Sequence, residues 1–143
     1  MTPKAPTALV YSCSGCSDVA QLANSVAIKL DHAGIAEMSC IAGIGGNVPG
    51  ITRKALSGRP IIAIDGCQMH CAAHCLKQID VEPNEHIKLY EQGFTKTRGR
   101  SYDDAVVDGV VSNLIPVVDA LTSAPSAESV ESAEPPQKLA AQG

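Results

Sequence analysis

There is no tryptophan in this chain of 143 residues, and only 3% of it is aromatic. A core without large rings must be built from Val, Ile, Leu and Ala, which suits strands buried on both faces of a parallel sheet. Charge of one sign is also scarce. The formal net charge is −4, and no basic stripe with interleaved aromatics occurs, which argues against a nucleic-acid partner. No apolar run approaches the roughly 18 residues of a membrane span. The N-terminus, Met1-Thr2-Pro3-Lys4-Ala5-Pro6-Thr7, lacks the apolar segment of a secretory signal. The expectation is a cytoplasmic protein with no membrane partner. Catalytic patterns are missing as well: no carboxylate pair or Ser/His/Asp order stands out. Neither Cys13 nor Cys16 is followed by the arginine of a low-molecular-weight phosphatase loop, Val19 and Leu22 standing at that position.

What the chain does have is cysteine, six residues of it. In an unexported chain of this size they read as metal ligands or redox thiols rather than as a disulfide framework. Their placement follows the pattern of the elements. Residues 8–12 read as a first strand, and Cys13-Ser14-Gly15-Cys16 follows it directly. Ser17 and Asp18 signal the start of a helix whose apolar positions are Val19, Leu22, Ala23, Val26, Ala27 and Leu30, with Gly34 as its stop. Residues 36–42 read as a second strand carrying Cys40, followed by a glycine-rich loop over 43–50 and a short helix over 51–57. Residues 60–65 are apolar almost throughout and read as a central third strand, followed by Gly66-Cys67.

A helix is expected from Gly66 to about Gln78, a fourth strand over 85–91, and a last helix over 103–121 that Pro116 should kink or split. The apolar stripe of that last helix is Val106, Val110, Leu114, Val117, Val118 and Leu121. Residues 1–121 thus read as one α/β domain, a doubly wound and mainly parallel four-stranded sheet of order 2-1-3-4. Residues 122–143, rich in Ser, Ala, Pro and Glu, read as a disordered tail. In that order Cys13, Cys16, Cys40 and Cys67 share the carboxyl edge of the sheet, where open α/β folds keep their ligand sites.

On a helix begun at Gly66, Cys67, His70, Cys71, His74 and Cys75 would share one face, and Met69, Ala72, Ala73, Leu76 and Ile79 the opposite one. Cys67 and Cys71 would then lie about 6 Å apart along the axis and Cys67 and Cys75 about 12 Å apart. Zinc–sulfur bonds near 2.3 Å could span the first separation but not the second. The exposed Cys75, His70 and His74 would form a face for a protein partner. Asp65 reads as an acceptor of loop amides or a cap for the next helix. His32 and His86 read as solvated or packing residues, and Lys96, Arg98 and Arg100 as a solvated loop.

The segments Cys13-Ser14-Gly15-Cys16-Ser17-Asp18-Val19, Cys40-Ile41-Ala42-Gly43-Ile44-Gly45-Gly46 and Ile64-Asp65-Gly66-Cys67, with Cys71-Ala72, resemble the DGC-domain family. Its members are small prokaryotic proteins named for an Asp-Gly-Cys motif, to which zinc binding is attributed. The resemblance spans roughly residues 8–95 and implies a metal site using Cys13, Cys40, Cys67 and Cys71, with Cys16 less regular in the family. The expected function is a metal-binding protein that holds zinc through cysteines drawn from Cys13, Cys16, Cys40, Cys67 and Cys71, in a structural, sensing or delivery role. The alternatives are a thiol-redox or persulfide carrier, with a soft sulfur species as partner, and an iron–sulfur cluster protein. All three need clustered thiolates.

Overall fold

A computed structural model describes residues 7–123. Four parallel strands, β1 (Leu9–Ser12), β2 (Glu37–Met38), β3 (Ile61–Asp65) and β4 (Glu85–Lys88), form one sheet in the order β2-β1-β3-β4. This is the expected α/β architecture. β1 and β3 are buried along their whole length, as strands covered on both faces must be.

Helix α1 (Asp18–His32) begins where the sequence signals it: the Ser17 hydroxyl accepts the Ala20 amide at 3.2 Å. All six of its expected apolar positions are buried. The expected second strand is largely replaced. Only Glu37 and Met38 pair with β1, and the chain then turns at Cys40 into α2 (Ile41–Gly45) and α3 (Pro49–Ala55). The run expected as a glycine-rich loop is therefore mostly helical, because its glycines serve close packing. A Cβ on Gly43 would stand 2.7 Å from Ile51 Cγ1, so only glycine lets α2 and α3 approach this closely.

The third-helix expectation also needs correction. Residues 66–70 form a turn, His70 adopts a left-handed conformation at φ 53°, and α4 spans only Cys71–Lys77. Ala72 and Leu76 pack inward as anticipated, but Met69 is 64% exposed rather than in the core. β4 is followed by a 3₁₀ turn, Leu89–Gln92, instead of continuing as strand.

The last helix, α5 (Asp104–Thr122), runs unbroken past Pro116. Proline removes the N–H that would bond Ser112, yet both residues face solvent, where water can satisfy the freed carbonyl. Its buried stripe is Val107, Val110, Leu114 and Val118, packed toward α1, with Val106 only partly buried. By length and composition α5 is long and apolar enough to cross a membrane, contrary to the expectation from apolar runs. Here its inner stripe is packed on α1, while Asp104, Asp108 and Asp119 lie exposed. From residue 124 on, the tail expectation lies outside the described residues.

Candidate thiolate site

Cys13 leaves the end of β1 directly beside the end of β3. Its amide donates to the Ile64 carbonyl at 3.0 Å, and its Sγ accepts the Gly66 N–H at 3.3 Å. It is 7% exposed. Burial pushes its thiol up to about 11 against the opposing pull of the Gly66 amide, and Asp65, Cys71 and Cys67 act on it in the same direction as burial. The Asp-Gly-Cys loop thus brings Cys67 and Cys71 into the electrostatic neighbourhood of Cys13. Cys67 is partly buried, Cys71 is exposed, and all six cysteines are free thiols. Lys96 Nζ approaches Cys67 Sγ at 3.7 Å.

The remaining cysteines have other surroundings. Cys16 is exposed at the end of its turn, just before the N-cap of α1. Cys40 lies past β2, where its neighbours are Tyr11 and a cavity shared with Ser12 and α1. Among the described residues no three His, Cys, Asp or Glu side chains already stand in a metal-holding arrangement. The stripe proposed for Cys75, His70 and His74 does not form, because the helix starts too late. Cys75 turns partly inward, where a Cβ on Gly45 of α2 would lie 3.4 Å from its sulfur. Burial, with Cys71 and Asp65 nearby, raises its thiol pKa. His70 and His74 instead line a cavity of about 260 Å³ with Lys77 and His86.

Asp65 is the buried hub of the rim, 1% exposed. Its carboxylate accepts the Ala72 amide at 2.8 Å and the Ala73 amide at 3.2 Å, so it caps α4 across the turn that His70 cannot cap itself. His86 Nε2 lies 2.8 Å from Asp65 Oδ2. The His86 ring meets His70 edge-on at 4.8 Å, and His70 Nε2 lies 2.8 Å from the Tyr90 hydroxyl. Asp65 as a cap is legible in the sequence; its pairing with His86 is not. The missed signal is register: His86 pairs with Ala63, and Asp65, two residues on, shares that face. Asp65→Ala should strand a buried amide, a part-buried one and the His86 ring, lowering stability by about 2–4 kcal/mol. Calorimetry should show a thermal midpoint about 5–15 °C lower; an unchanged midpoint would contradict the hub.

The loop expected to be solvated is tied down over the same rim. Asp18, 1% exposed, accepts the Thr97 amide at 2.7 Å and the Val19 amide at 2.8 Å, and Arg100 Nε lies 3.3 Å away. Burial raises the Asp18 pKa, but the Thr97 amide, Arg100 and the Val19 amide together outweigh it and hold the carboxyl below its ordinary value. The unfolded chain therefore binds more protons in that window. The stability that Asp18 adds over an Asp18→Asn variant should be full above the ordinary aspartate pKa of about 3.9. It should be lost as the pH falls through the lower folded value. Parallel denaturation curves for the two proteins across that pH range would contradict this.

Three motifs in order on one sheet edge are a family pattern, and a comparison of the chain with family models decides it: the DGC domain matches residues 9–114. The chain belongs to the DGC-domain family. A relative, the "Anaerobic and virulence modulator AnvM" of Pseudomonas aeruginosa strain PAO1, is 56% identical over 98 residues, which cover 68% of this chain and 75% of that protein. No solved structure matches the chain. Within the family match, the Asp-Gly-Cys signature corresponds to the cap of α4, the amide donor to Cys13 and the first thiol of the rim.

Proposed function

We propose that this DGC-domain chain is a cysteine-dependent regulatory protein that takes up one zinc ion through the rim thiols Cys13, Cys67 and Cys71. The observation that carries the reading is the Gly66 N–H bond to Cys13 Sγ, which fastens the Asp-Gly-Cys loop to the cysteine turn after β1. Amide and ammonium donors to Cys13 and Cys67 are the outer-shell contacts that thiolate ligands use. The donor set suits zinc, which favours cysteine sulfur. Because no three donors already stand in a metal-holding arrangement among the described residues, uptake requires movement in the 66–71 segment. Exposed Cys16 is the thiol closest in sequence to supply a fourth ligand. A bound zinc would supply a rigid cross-link between the ends of β1 and β3.

The name of the Pseudomonas relative, a modulator, supports a regulatory rather than delivery role. Free thiols in this number fit a reducing cytoplasm. Exposed Cys71 beside Cys67 and Lys96 favours, as a second reading, thiol exchange or persulfide carriage at the same rim.

Metal analysis and a visible spectrum of protein purified without oxygen separate these readings. About one zinc per chain in colourless protein is the expected result. Iron with acid-labile sulfide and visible colour would replace zinc by an iron–sulfur cluster. Metal-free protein that also fails to take up added zinc would leave the thiol reading.

A further inference from the structure

Cys40, which the sequence groups with the other thiols, opens instead onto a separate cavity of about 390 Å³ between α1 and α2, at the carboxyl ends of β1 and β2. Ile28, Met38 and Ile41 give this cavity apolar walls, and Asn24 lies on its α1 side. Its volume falls within the range of small-molecule sites. A second observation marks it as a place for a ligand. Ser12 lines the cavity, is 1% exposed, and its hydroxyl has no hydrogen-bond partner among the described residues. Buried hydroxyls in native proteins are nearly always paired, and an unpaired one calls for a partner that the chain itself does not supply.

We infer that this cavity binds a small, mainly apolar molecule carrying a carbonyl head, with the Ser12 hydroxyl donating to the carbonyl and the Cys40 thiol alongside. The ligand class follows from the walls: apolar surface for the body and the unpaired Ser12 hydroxyl for the head. Ser39, Asp31 and His32 also line the cavity, and the Asp31 carboxylate, which already accepts the Met38 amide at 2.9 Å, disfavours an anionic ligand. Where the molecule is an unsaturated carbonyl, Cys40 can add to it. The sulfur bonds to the β-carbon, the thiol proton ends on the α-carbon, nothing leaves, and no oxidant is needed. The cavity is thus a second cysteine site, distinct from the zinc rim proposed above.

N-phenylmaleimide has this chemistry and serves as the probe. The full chain is reacted with it, and adducts at each cysteine are followed by peptide mass spectrometry. The rate at Cys40 should saturate with reagent concentration, because binding precedes reaction, whereas the rate at exposed Cys16 should rise linearly. Iodoacetamide, which lacks the apolar body, should give linear rates at both. Ser12→Ala should raise the half-saturating concentration about five- to tenfold, the worth of one hydrogen bond. Ala42→Phe, which fills the cavity from α2, should abolish saturation while Cys40 still reacts. Linear kinetics at Cys40 in the unsubstituted chain, or saturation unaffected by both substitutions, would overturn the proposal. Equimolar zinc separates the two sites. Protection of Cys67 and Cys71 with Cys40 still reactive is the expected outcome. Protection of Cys40 by zinc would place it in the metal site and overturn the proposal. Saturation at Cys40 without zinc protection elsewhere would support the cavity and count against the zinc reading alone.

Discussion

Replacing Cys71 by serine should lower zinc affinity by more than about a hundredfold, beyond the 10- to 100-fold that outer-shell partners carry. Cys75→Ser should leave the affinity within about threefold, the scatter of a surface substitution. The two cysteines lie one helical turn apart on α4, and the sequence makes them look alike. Their surroundings do not. Cys71 is exposed at the first residue of the helix, beside Asp65, Cys67 and Cys13. Cys75, one turn further along, is packed toward Gly45 of α2 instead. The separation of about 12 Å along a continuous helix is not the reason, since Cys67 lies in the turn before α4 and not on a helix. Competition with a chromogenic chelator reads both affinities. Equal losses would make Cys75 a ligand as well. Equal indifference would remove Cys71 from the site.

Gly66→Ala should be the most damaging single substitution to the fold. A Cβ there would lie 2.6 Å from the Val19 carbonyl oxygen, 2.7 Å from its carbon and 2.9 Å from the Val19 Cβ. Two of these three atoms are backbone in the first turn of α1, so no side-chain rotation relieves the clash. The end of β3 must move away from α1, taking with it the N–H that bonds Cys13 Sγ. Overpacking against backbone should fall at the upper end of the usual range, about 3 kcal/mol, a thermal midpoint lower by about 10–20 °C. Gly66 does not have a positive φ, so the requirement is space and not backbone freedom. Thermal unfolding checks this directly. A midpoint within about 2 °C of the parent would mean that the rim tolerates a shift, and the account of the Asp-Gly-Cys glycine would fail.

A Gly34→Ala comparison makes the contrast internal. Gly34, the stop of α1, has φ 73° and open space around its Cβ position, so its cost is conformational and smaller, about 1 kcal/mol. The two glycines look equivalent as letters between elements. One holds a turn conformation, and the other admits a neighbouring backbone.

The sequence by itself determined the periodic elements and, through them, the sheet. Apolar runs at 8–12 and 60–65, the Ser17 cap and the 3.6-residue stripe of α1 are local signals. Four strands separated by helices leave few ways to build a parallel sheet, and 2-1-3-4 is the order observed. The family motifs were legible for the same reason: Asp65 closes β3, and Gly66 and Cys67 must follow it wherever that strand lies. What the sequence could not decide depends on contacts between distant segments. Helix α4 begins at Cys71 because Asp65 caps it there, and the cap needs a carboxylate oriented by His86 from another strand. Cys75 turns toward Gly45 because α2 packs beside α4, and Cys40 opens onto its own cavity because the chain turns there, consequences of tertiary contacts that no spacing encodes. The Thr97–Arg100 segment lies over the rim because buried Asp18 holds it from 79 residues away in sequence. Periodicity reports which face of an element is buried, but only tertiary packing decides which side chains meet across that face.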